Sequence, residues 1–308
     1  MAKACLSLVL ADFATLFAND INRAFWPDTL HKILKKARFE ADRQGYYQHL
    51  LALFSAHSLK PGDLPIALLR GGSAQSLCAD PCYLHPDRDQ LRLFYRDLDL
   101  SLEEAKAIAR RVQPLLEDFH ARLEVVSPQE WLMELDKSPE VTFSPLEGLE
   151  GLPVTEHLPR GTEAQRWIRL WNEMQMLLFE CPENQVREKA HKAPINSLWF
   201  WGKGRLPELR QWPHVSGEEP VLARLASESD SGFYPAVSGY KQLNARQALH
   251  VLAFDIEQDW QTQMNTLTQD WLIPAFQALK RWRLADLEVI VPEWGIYRFT
   301  PLSSWRFR

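Results

Sequence analysis

A short glycine-rich segment follows the most aromatic stretch of the chain. Gly202-Lys203-Gly204-Arg205, here called the GKGR loop, comes directly after Trp199-Phe200-Trp201. Backbone N–H groups that glycines leave accessible, together with a lysine or arginine charge, can bind a phosphate or a carboxylate. Phosphate-binding loops usually continue into a helix, whereas Pro207 and Pro213 follow here. Two interpretations are open, an anion-binding loop and a structural turn after a buried strand, and the local pattern favours the turn.

Acidic residues are dense in a second segment, between residues 80 and 89. Asp80, Asp87 and Asp89, together with His85, could hold a divalent cation through oxygen and nitrogen ligands. The same residues could equally form a solvated turn with aspartate caps, which is the simpler interpretation. The nine histidines are otherwise dispersed, without a His-Glu-x-x-His pattern. We therefore expect no cofactor, and a divalent metal only if the protein is a degenerate metal-dependent enzyme.

Composition and charge narrow the class of protein. A chain of 308 residues with 46% hydrophobic and 24% charged residues is typical of a soluble globular protein. Its net charge of −5 makes nucleic acid an unlikely partner, and the basic, aromatic segments 280–283 and 305–308 are typical of helix ends. The apolar run 4–10 is too short to span a membrane and lacks a cleavage signal. We expect a cytoplasmic protein without a membrane partner.

The hydrophobic pattern alternates between strands and helices. Ser101 and Glu104 form a capping-box pattern that begins one of the helices. Strands are predicted at 64–69, 78–84, 90–95, 123–126, 131–135, 195–201, 287–291 and 296–300, and helices at 20–57, 101–119, 162–179, 245–260 and 262–283. The last two strands should form a hairpin. This order indicates an α/β or α+β fold, a layered mixed sheet with flanking helices.

One segment separates the chain into two parts. Residues 138–159 contain four prolines and two glycines, which is typical of a connecting loop. We therefore expect an N-terminal α/β lobe over residues 1–150 and a C-terminal lobe over residues 160–308. The second lobe would hold the long helices, the strand with the GKGR loop and the terminal hairpin. A single compact unit is the alternative.

Three motifs lead along the chain to the GKGR loop. They are WNEMQMLL at 171–178, PxNxxR at 182–187 and PxNSLWFWGxG at 194–204. With the acidic segment and the residues around 269–271 and 287–299, they resemble the RpfE-type regulatory protein family. More distantly, the second and third motifs are similar to a segment of the archaeal-type cofactor-independent phosphoglycerate mutases, members of the alkaline phosphatase superfamily. Cys181 stands where those enzymes carry a histidine.

The resemblance implies part of a mutase-like, alkaline-phosphatase-like architecture. Those enzymes use a serine or threonine nucleophile between two metal ions, and the sequence shows neither the nucleophile nor the ligands. We therefore expect a non-catalytic regulatory or binding protein for a small anionic, phosphorylated metabolite or a protein partner. The alternative is a degenerate metal-dependent phosphomutase or phosphatase. The residues expected to bind the ligand are Asn184, Arg187, Asn196, Gly202, Lys203, Gly204 and Arg205.

Overall fold

The computed structural model describes residues 4–59, 64–235, 237–243, 246–255 and 258–305. The strands are β1 (Cys5–Ala11), β2 (Arg38–Ala41), β3 (Leu77–Asp87), β4 (Gln90–Phe94), β5 (Ala121–Val125), β6 (Trp131–Leu135), β7 (Val141–Thr142), β8 (Arg160–Gly161), β9 (Ser197–Trp201), β10 (His214–Ser216), β11 (Phe233–Tyr234), β12 (Gln247–Ala253), β13 (Asp286–Val291) and β14 (Gly295–Phe299). The helices are α1 (Ala14–Ala18), α2 (Asp20–Ala24), α3 (Asp28–Leu34), α4 (Tyr46–Phe54), α5 (Ile66–Leu69), α6 (Leu102–Val112), α7 (Ala164–Phe179), α8 (Pro182–Lys189), α9 (Pro220–Glu228), α10 (Trp260–Thr266), α11 (Ile273–Lys280) and α12 (Pro301–Ser304). A π-helical stretch, Leu267–Leu272, joins α10 to α11.

The chain divides into two compact units. Unit 1 combines Met1–Leu59 with Pro207–Arg308, and unit 2 is Lys60–Leu206. The predicted division into residues 1–150 and 160–308 differs from this arrangement. Its boundary lies inside unit 2, because β1 pairs with β12 and β13 from the far end of the chain.

Unit 1 is built on a seven-stranded mixed sheet in the order β11-β10-β12-β1-β13-β14-β2. Neighbouring strands from β11 to β13 are parallel, whereas β14 and β2 are added antiparallel. The central strand β1 is the apolar run near the N-terminus, and its residues from Leu6 to Ala11 are buried. A continuous apolar run is typical of a parallel strand that is covered on both faces.

Unit 2 is built on antiparallel pairs. Its main sheet has the order β4-β3-β6-β5, and β9 also pairs with β3. Helix α7 packs on β9, where Trp171 stacks on Trp199 with ring centroids 4.9 Å apart. The Trp171 indole N–H also donates to the Leu198 carbonyl at 2.8 Å, so this pair of aromatic residues fixes the helix against the strand.

The predicted mixed α/β class, with a layered sheet and flanking helices, is confirmed. The capping box at Ser101 and Glu104 is present, and the hairpin of β13 and β14 forms as expected. Three predicted elements are wrong: residues 64–69 contain the short helix α5, the predicted helix 245–260 contains the strand β12, and the predicted helix 20–57 is interrupted by the strand β2. Among the described residues, no helix is long and apolar enough to cross a membrane.

Candidate functional site

The GKGR loop leaves the end of β9 in a conformation that requires glycine. Gly202 has φ +80 and Gly204 has φ +153, in the region that side chains rarely adopt. A Cβ added at Gly202 would lie 2.6 Å from the Cys78 Sγ, so the backbone also passes too close to β3 for a larger residue. The Gly202 carbonyl accepts a hydrogen bond from the Ala67 N–H at 2.9 Å. The first half of the loop is therefore a tight, fixed exit from the strand.

The two cations of the loop have different surroundings. Lys203 Nζ donates to the carbonyls of Pro139 and Val141, at 2.5 and 2.7 Å, and so ties the loop to the start of β7. Arg205 is exposed, and its guanidinium makes no hydrogen bond or ion pair with the described part of the chain. The Gly204 N–H likewise has no acceptor among those residues. The second half of the loop thus presents a positive charge and a backbone donor to solvent.

Asn184, at the start of α8, holds the chain just before β9. Its side-chain N–H groups donate to the carbonyls of Leu178 and Ile195 at 2.8 and 2.9 Å, and its Oδ1 accepts from the Ile195 N–H at 2.9 Å. Only 4% of the residue is exposed. Asn184 thereby supplies a partner for both backbone groups of Ile195 and joins that residue to the end of α7.

Asn196 makes the same kind of connection to β3. Its Oδ1 accepts from the Leu84 N–H at 2.8 Å, and its Nδ2 donates to the Leu84 carbonyl at 3.0 Å. The side chain therefore continues the ladder between β9 and β3 by one more step. The two asparagines of the PxNxxR and PxNSLWFWGxG motifs both position the aromatic strand.

Arg187 is fully buried, although arginine is rarely found inside proteins without partners. Its guanidinium donates to the carbonyls of Leu98, Asp99 and Ala193, and it pairs with Glu104 at 3.0 Å. Burial alone would raise the pKa of Glu104, but hydrogen bonds from Ser101 and the Arg187 charge lower it overall. Arg187 therefore joins α8 to the beginning of α6.

Asp80 lies at the centre of a buried network in β3. Its carboxylate accepts from Arg70 Nη1 with both oxygens at 2.8 Å, from the Trp201 indole N–H at 2.7 Å and from the Trp131 backbone N–H at 3.0 Å. Arg70 also lies 3.2 Å from Glu130 and 5.3 Å from the centre of the Trp201 ring. Only 2% of Asp80 is exposed. The GKGR loop is thus anchored through Trp201 to a buried ion pair.

The alternative metal ligands do not come together. His85 and Asp87 lie on the same strand as Asp80, but five and seven residues further along, or about 16 and 23 Å at the rise of an extended chain. Asp87 pairs with Arg92 at 2.6 Å, and the His85 ring lies 2.8 Å from the Tyr83 hydroxyl. Asp89 lies in the turn before β4. Within the described ranges, no three His, Cys, Asp or Glu side chains form a group that could hold a metal.

Unit 1 contains a buried histidine cluster that the sequence patterns did not indicate. His214 and Ser216 lie on β10 and His250 lies on the neighbouring β12, where Ser216 and His250 are directly paired. The Ser216 hydroxyl is 2.8 Å from the His250 Nδ1, and the His250 ring stacks on Trp271 at 3.8 Å. Burial, with a smaller effect of His214, lowers the pKa of His250 to about 3. The only signal in the sequence is a pair of histidines in two apolar strands.

Two carboxylates also follow the parallel strands of unit 1. Asp12 comes directly after β1, and Asp255 lies two residues after β12, whose end residues Ala11 and Ala253 are paired. Both aspartates are exposed. In parallel sheets, the carboxyl ends of the strands are the usual position of ligands. This edge is therefore a second candidate position for a bound ion or metabolite.

A cleft of 390 Å³ in unit 2 lies beside the segment that Lys203 holds. Its aromatic lining comes from Phe119 and Trp167, whose rings meet edge to face at 5.0 Å. Its charged lining consists of Asp118, Asp136, Lys137, Glu140, Glu163 and Arg166, with His120 beside them. Carboxylates outnumber cations there, so the cleft is a poor place for an anion. The exposed end of the GKGR loop remains the better anion site of unit 2.

The sequence is similar to phosphoglycerate mutases over a limited length. No protein-family model matches the chain. It is 38% identical over 77 residues to a Geobacter sulfurreducens protein named as a probable 2,3-bisphosphoglycerate-independent phosphoglycerate mutase, a match that covers 25% of this chain and 19% of that protein. It is 32% identical over 78 residues to a mutase of the same name from Methanothrix thermoacetophila, covering 25% and 20%. The chain thus matches about one fifth of the length of these relatives.

Two solved structures resemble the fold at low identity. A cofactor-independent phosphoglycerate mutase from Thermoplasma acidophilum is 14% identical, with a TM-score of 0.42 over 97% of this chain and 90% of that chain. A protein from Pyrococcus horikoshii is 10% identical, with a TM-score of 0.46 over 97% and 88%. The distant similarity to phosphoglycerate mutases that the motifs suggested is found in the sequence comparison.

Proposed function

We propose that this chain is a mutase-related binding protein of the RpfE-type regulatory kind. In this proposal it takes a small phosphorylated carboxylic acid in the cytoplasm and does not convert it. The similarity to phosphoglycerate mutases supports a ligand of the phosphoglycerate class. A protein that binds such a ligand without turnover would suit a regulatory role.

One observation carries the proposal, the exposed second half of the GKGR loop. Arg205 and the Gly204 N–H are unpaired within the described structure, on a loop whose first half is fixed by Gly202 and Lys203. A charged guanidinium and a backbone donor on a rigid support are what a phosphate or a carboxylate requires. Since the loop is already ordered, binding would cost little conformational entropy.

Asn184, Arg187 and Asn196 have a different part in this proposal. Their polar atoms bind backbone groups of unit 2, so we assign them to positioning the strand that carries the loop. Direct contact of these three side chains with the ligand stays a prediction of the sequence. Ligand binding itself is assigned to Gly204 and Arg205, with Lys203 contributing charge.

A thermal-shift titration with 3-phosphoglycerate tests the proposal. At a ligand concentration one hundred times Kd, a ligand of the native state stabilises it by about 2.7 kcal/mol, so the Tm should rise by several degrees. Arg205→Ala should remove most of that rise, because the substituted residue makes no contact on which the fold depends. Inorganic phosphate and glycerate, tested separately, show which end of the ligand is recognised.

Arg169→Ala is the matched control. Arg169 is also an exposed arginine of unit 2, on α7, without a hydrogen bond or ion pair to another described residue. This variant should retain the full shift in Tm. The proposal fails if 3-phosphoglycerate does not raise the Tm of the wild type. It also fails if Arg205→Ala shows the same rise in Tm as Arg169→Ala and the wild type.

A second candidate is a degenerate metal-dependent phosphomutase or phosphatase. Its support is the similarity to the curated mutases and the carboxylates Asp12 and Asp255 at the carboxyl edge of the parallel sheet. The described side chains do not fit a metal centre, because no three possible ligands come together. We therefore derive no catalytic step through a metal. Turnover of 3-phosphoglycerate with added Mn²⁺, Mg²⁺ or Zn²⁺, abolished by Asp12→Asn, would support this candidate against the binding protein.

A further inference from the structure

An exposed aromatic and basic surface lies at the end of α11 and on α12 in unit 1. We call it the tryptophan surface, and it consists of Trp282, Leu302 and Trp305 with the cations Lys36, Lys280, Arg281 and Arg283. The three apolar side chains are 68%, 72% and 56% exposed. Large apolar side chains that are exposed together commonly mark a surface that contacts something else.

Trp282 occupies a backbone position that normally holds glycine. Helix α11 ends at Lys280, and Trp282 follows with φ +58, in the left-handed region. Its N–H donates to the Leu279 carbonyl, and the Arg283 N–H donates to the Ala278 carbonyl, both at 2.9 Å. This pattern is a helix C-cap in which glycine is strongly preferred. Here the chain places a bulky indole in an unfavourable conformation and exposes it, and such strained residues cluster at functional positions.

Two cations of the tryptophan surface lie beside aromatic rings. Lys280 Nζ lies 5.3 Å from the Phe276 ring centre and 6.0 Å from that of Trp305. Lys36 Nζ lies 5.7 Å from the same Phe276 ring and donates to the Ser304 carbonyl at 3.2 Å. Within the described residues, none of the four cations pairs with a carboxylate. A protein of net charge −5 thus carries a local positive surface, which is complementary to an anionic partner.

We propose that the tryptophan surface binds the anionic face of a lipid bilayer. Indoles with nearby lysine and arginine side chains are the combination favoured at the boundary between headgroups and acyl chains. Leu302 favours lipid over single-stranded nucleic acid, because an aliphatic side chain gives no stacking platform for bases. This contact lies on the surface and needs no segment that spans the bilayer, and it departs from the expectation of a protein without a membrane partner. Because the bilayer face is anionic, it would repel the negative charge elsewhere on the protein. The tryptophan surface would therefore be the side that faces the membrane.

Vesicle co-sedimentation of the full chain tests the proposal. Binding to phosphatidylcholine vesicles with about one third phosphatidylserine should exceed binding to phosphatidylcholine alone, and it should weaken with salt. Trp282→Gly should reduce the partition coefficient about tenfold, since one large apolar side chain no longer enters the interface. Lys280→Gln should reduce it about fivefold, as expected for one basic charge.

The Trp282 variant is chosen because glycine suits the C-cap. It should unfold at the same Tm as the wild type or higher, so that a loss of binding cannot be attributed to a damaged fold. Phe179→Ala is the control, because Phe179 is 78% exposed but lies in unit 2. The proposal is overturned if phosphatidylserine gives no added binding, if Phe179→Ala loses as much as Trp282→Gly, or if oligo-dT is bound more tightly than the vesicles.

Discussion

Replacing Asp80 by alanine should strongly destabilise the protein. Asp80 is the buried partner of Arg70, whose side chain is only 6% exposed, and it accepts hydrogen bonds from Trp131 and Trp201. Breaking a buried ion pair by removing one partner costs about 3–5 kcal/mol. Glu130, 3.2 Å from Arg70, retains part of the compensation, while two buried N–H donors lose their acceptor. We therefore expect a loss of about 4 kcal/mol, a large part of the stability of a typical protein.

Urea unfolding of the wild type and variants, followed by tryptophan fluorescence, measures this loss. Asp89→Ala is the matched control, since Asp89 is an exposed aspartate in the turn after the same strand, and we expect less than about 0.5 kcal/mol. The double variant Asp80→Ala, Arg70→Met should be more stable than Asp80→Ala, because it no longer leaves a buried charge unpaired. A loss below about 1 kcal/mol for Asp80→Ala would show that the buried ion pair contributes little to stability.

Three further results are expected. Asn184→Ala removes three hydrogen bonds to buried backbone groups and should lower the free energy of unfolding in urea by about 2–3 kcal/mol. A loss no larger than that of an exposed asparagine would contradict its role in holding the chain before β9. Gly202→Ala should be more destabilising than Gly71→Ala by at least about 1 kcal/mol. Both glycines have positive φ, but only at Gly202 would a Cβ lie against Cys78. Equal losses of stability would argue against a close approach of the backbone to Cys78. His250 has a pKa of about 3 in the native protein, so the unfolded chain binds the proton more readily. The free energy of unfolding should therefore fall as the pH decreases below about 6.5, by about 2 kcal/mol at pH 5. Unfolding midpoints at pH 7 and pH 5 should differ less in His250→Gln than in the wild type, and an identical pH dependence would show that another group is responsible.

Elements that depend on local signals could be predicted from the sequence. The capping box of Ser101 and Glu104 begins α6, and the alternating residues on either side of Glu293 form the hairpin of β13 and β14. Each of these depends on contacts between residues close in sequence. The helix α7 was likewise expected because its apolar residues have a helical period, and the strand β9 because it is a short continuous apolar run.

Elements that depend on distant partners could not be predicted. Gln247–Ala253 is rich in alanine and leucine, which favour a helix, yet it forms β12 because it pairs with β1, with Gln247 opposite Cys5. The same pairing brings two segments that are distant in sequence into unit 1. The boundary between the units is therefore set by long-range pairing, and no local change in composition marks it. Long-range pairing of this kind has no signal in a single sequence.

The candidate site was only partly visible for a similar reason. The sequence identified the GKGR loop and its neighbours, but it could not show which polar atoms are already used. Asp80 was expected near a possible metal, whereas its carboxylate is enclosed by Arg70, Trp131 and Trp201 from three separate segments. The cluster of His214 and His250 was missed because only the sheet register brings the two strands together.

The most direct test of the central claim is a calorimetric titration of the full chain with 3-phosphoglycerate. We expect saturable binding at one site, weakened at least about tenfold by Arg205→Ala because a charge-assisted hydrogen bond is lost. We also expect no conversion of the ligand during the titration. Absence of binding, equal affinity in Arg205→Ala, or release of a converted product would contradict the central claim.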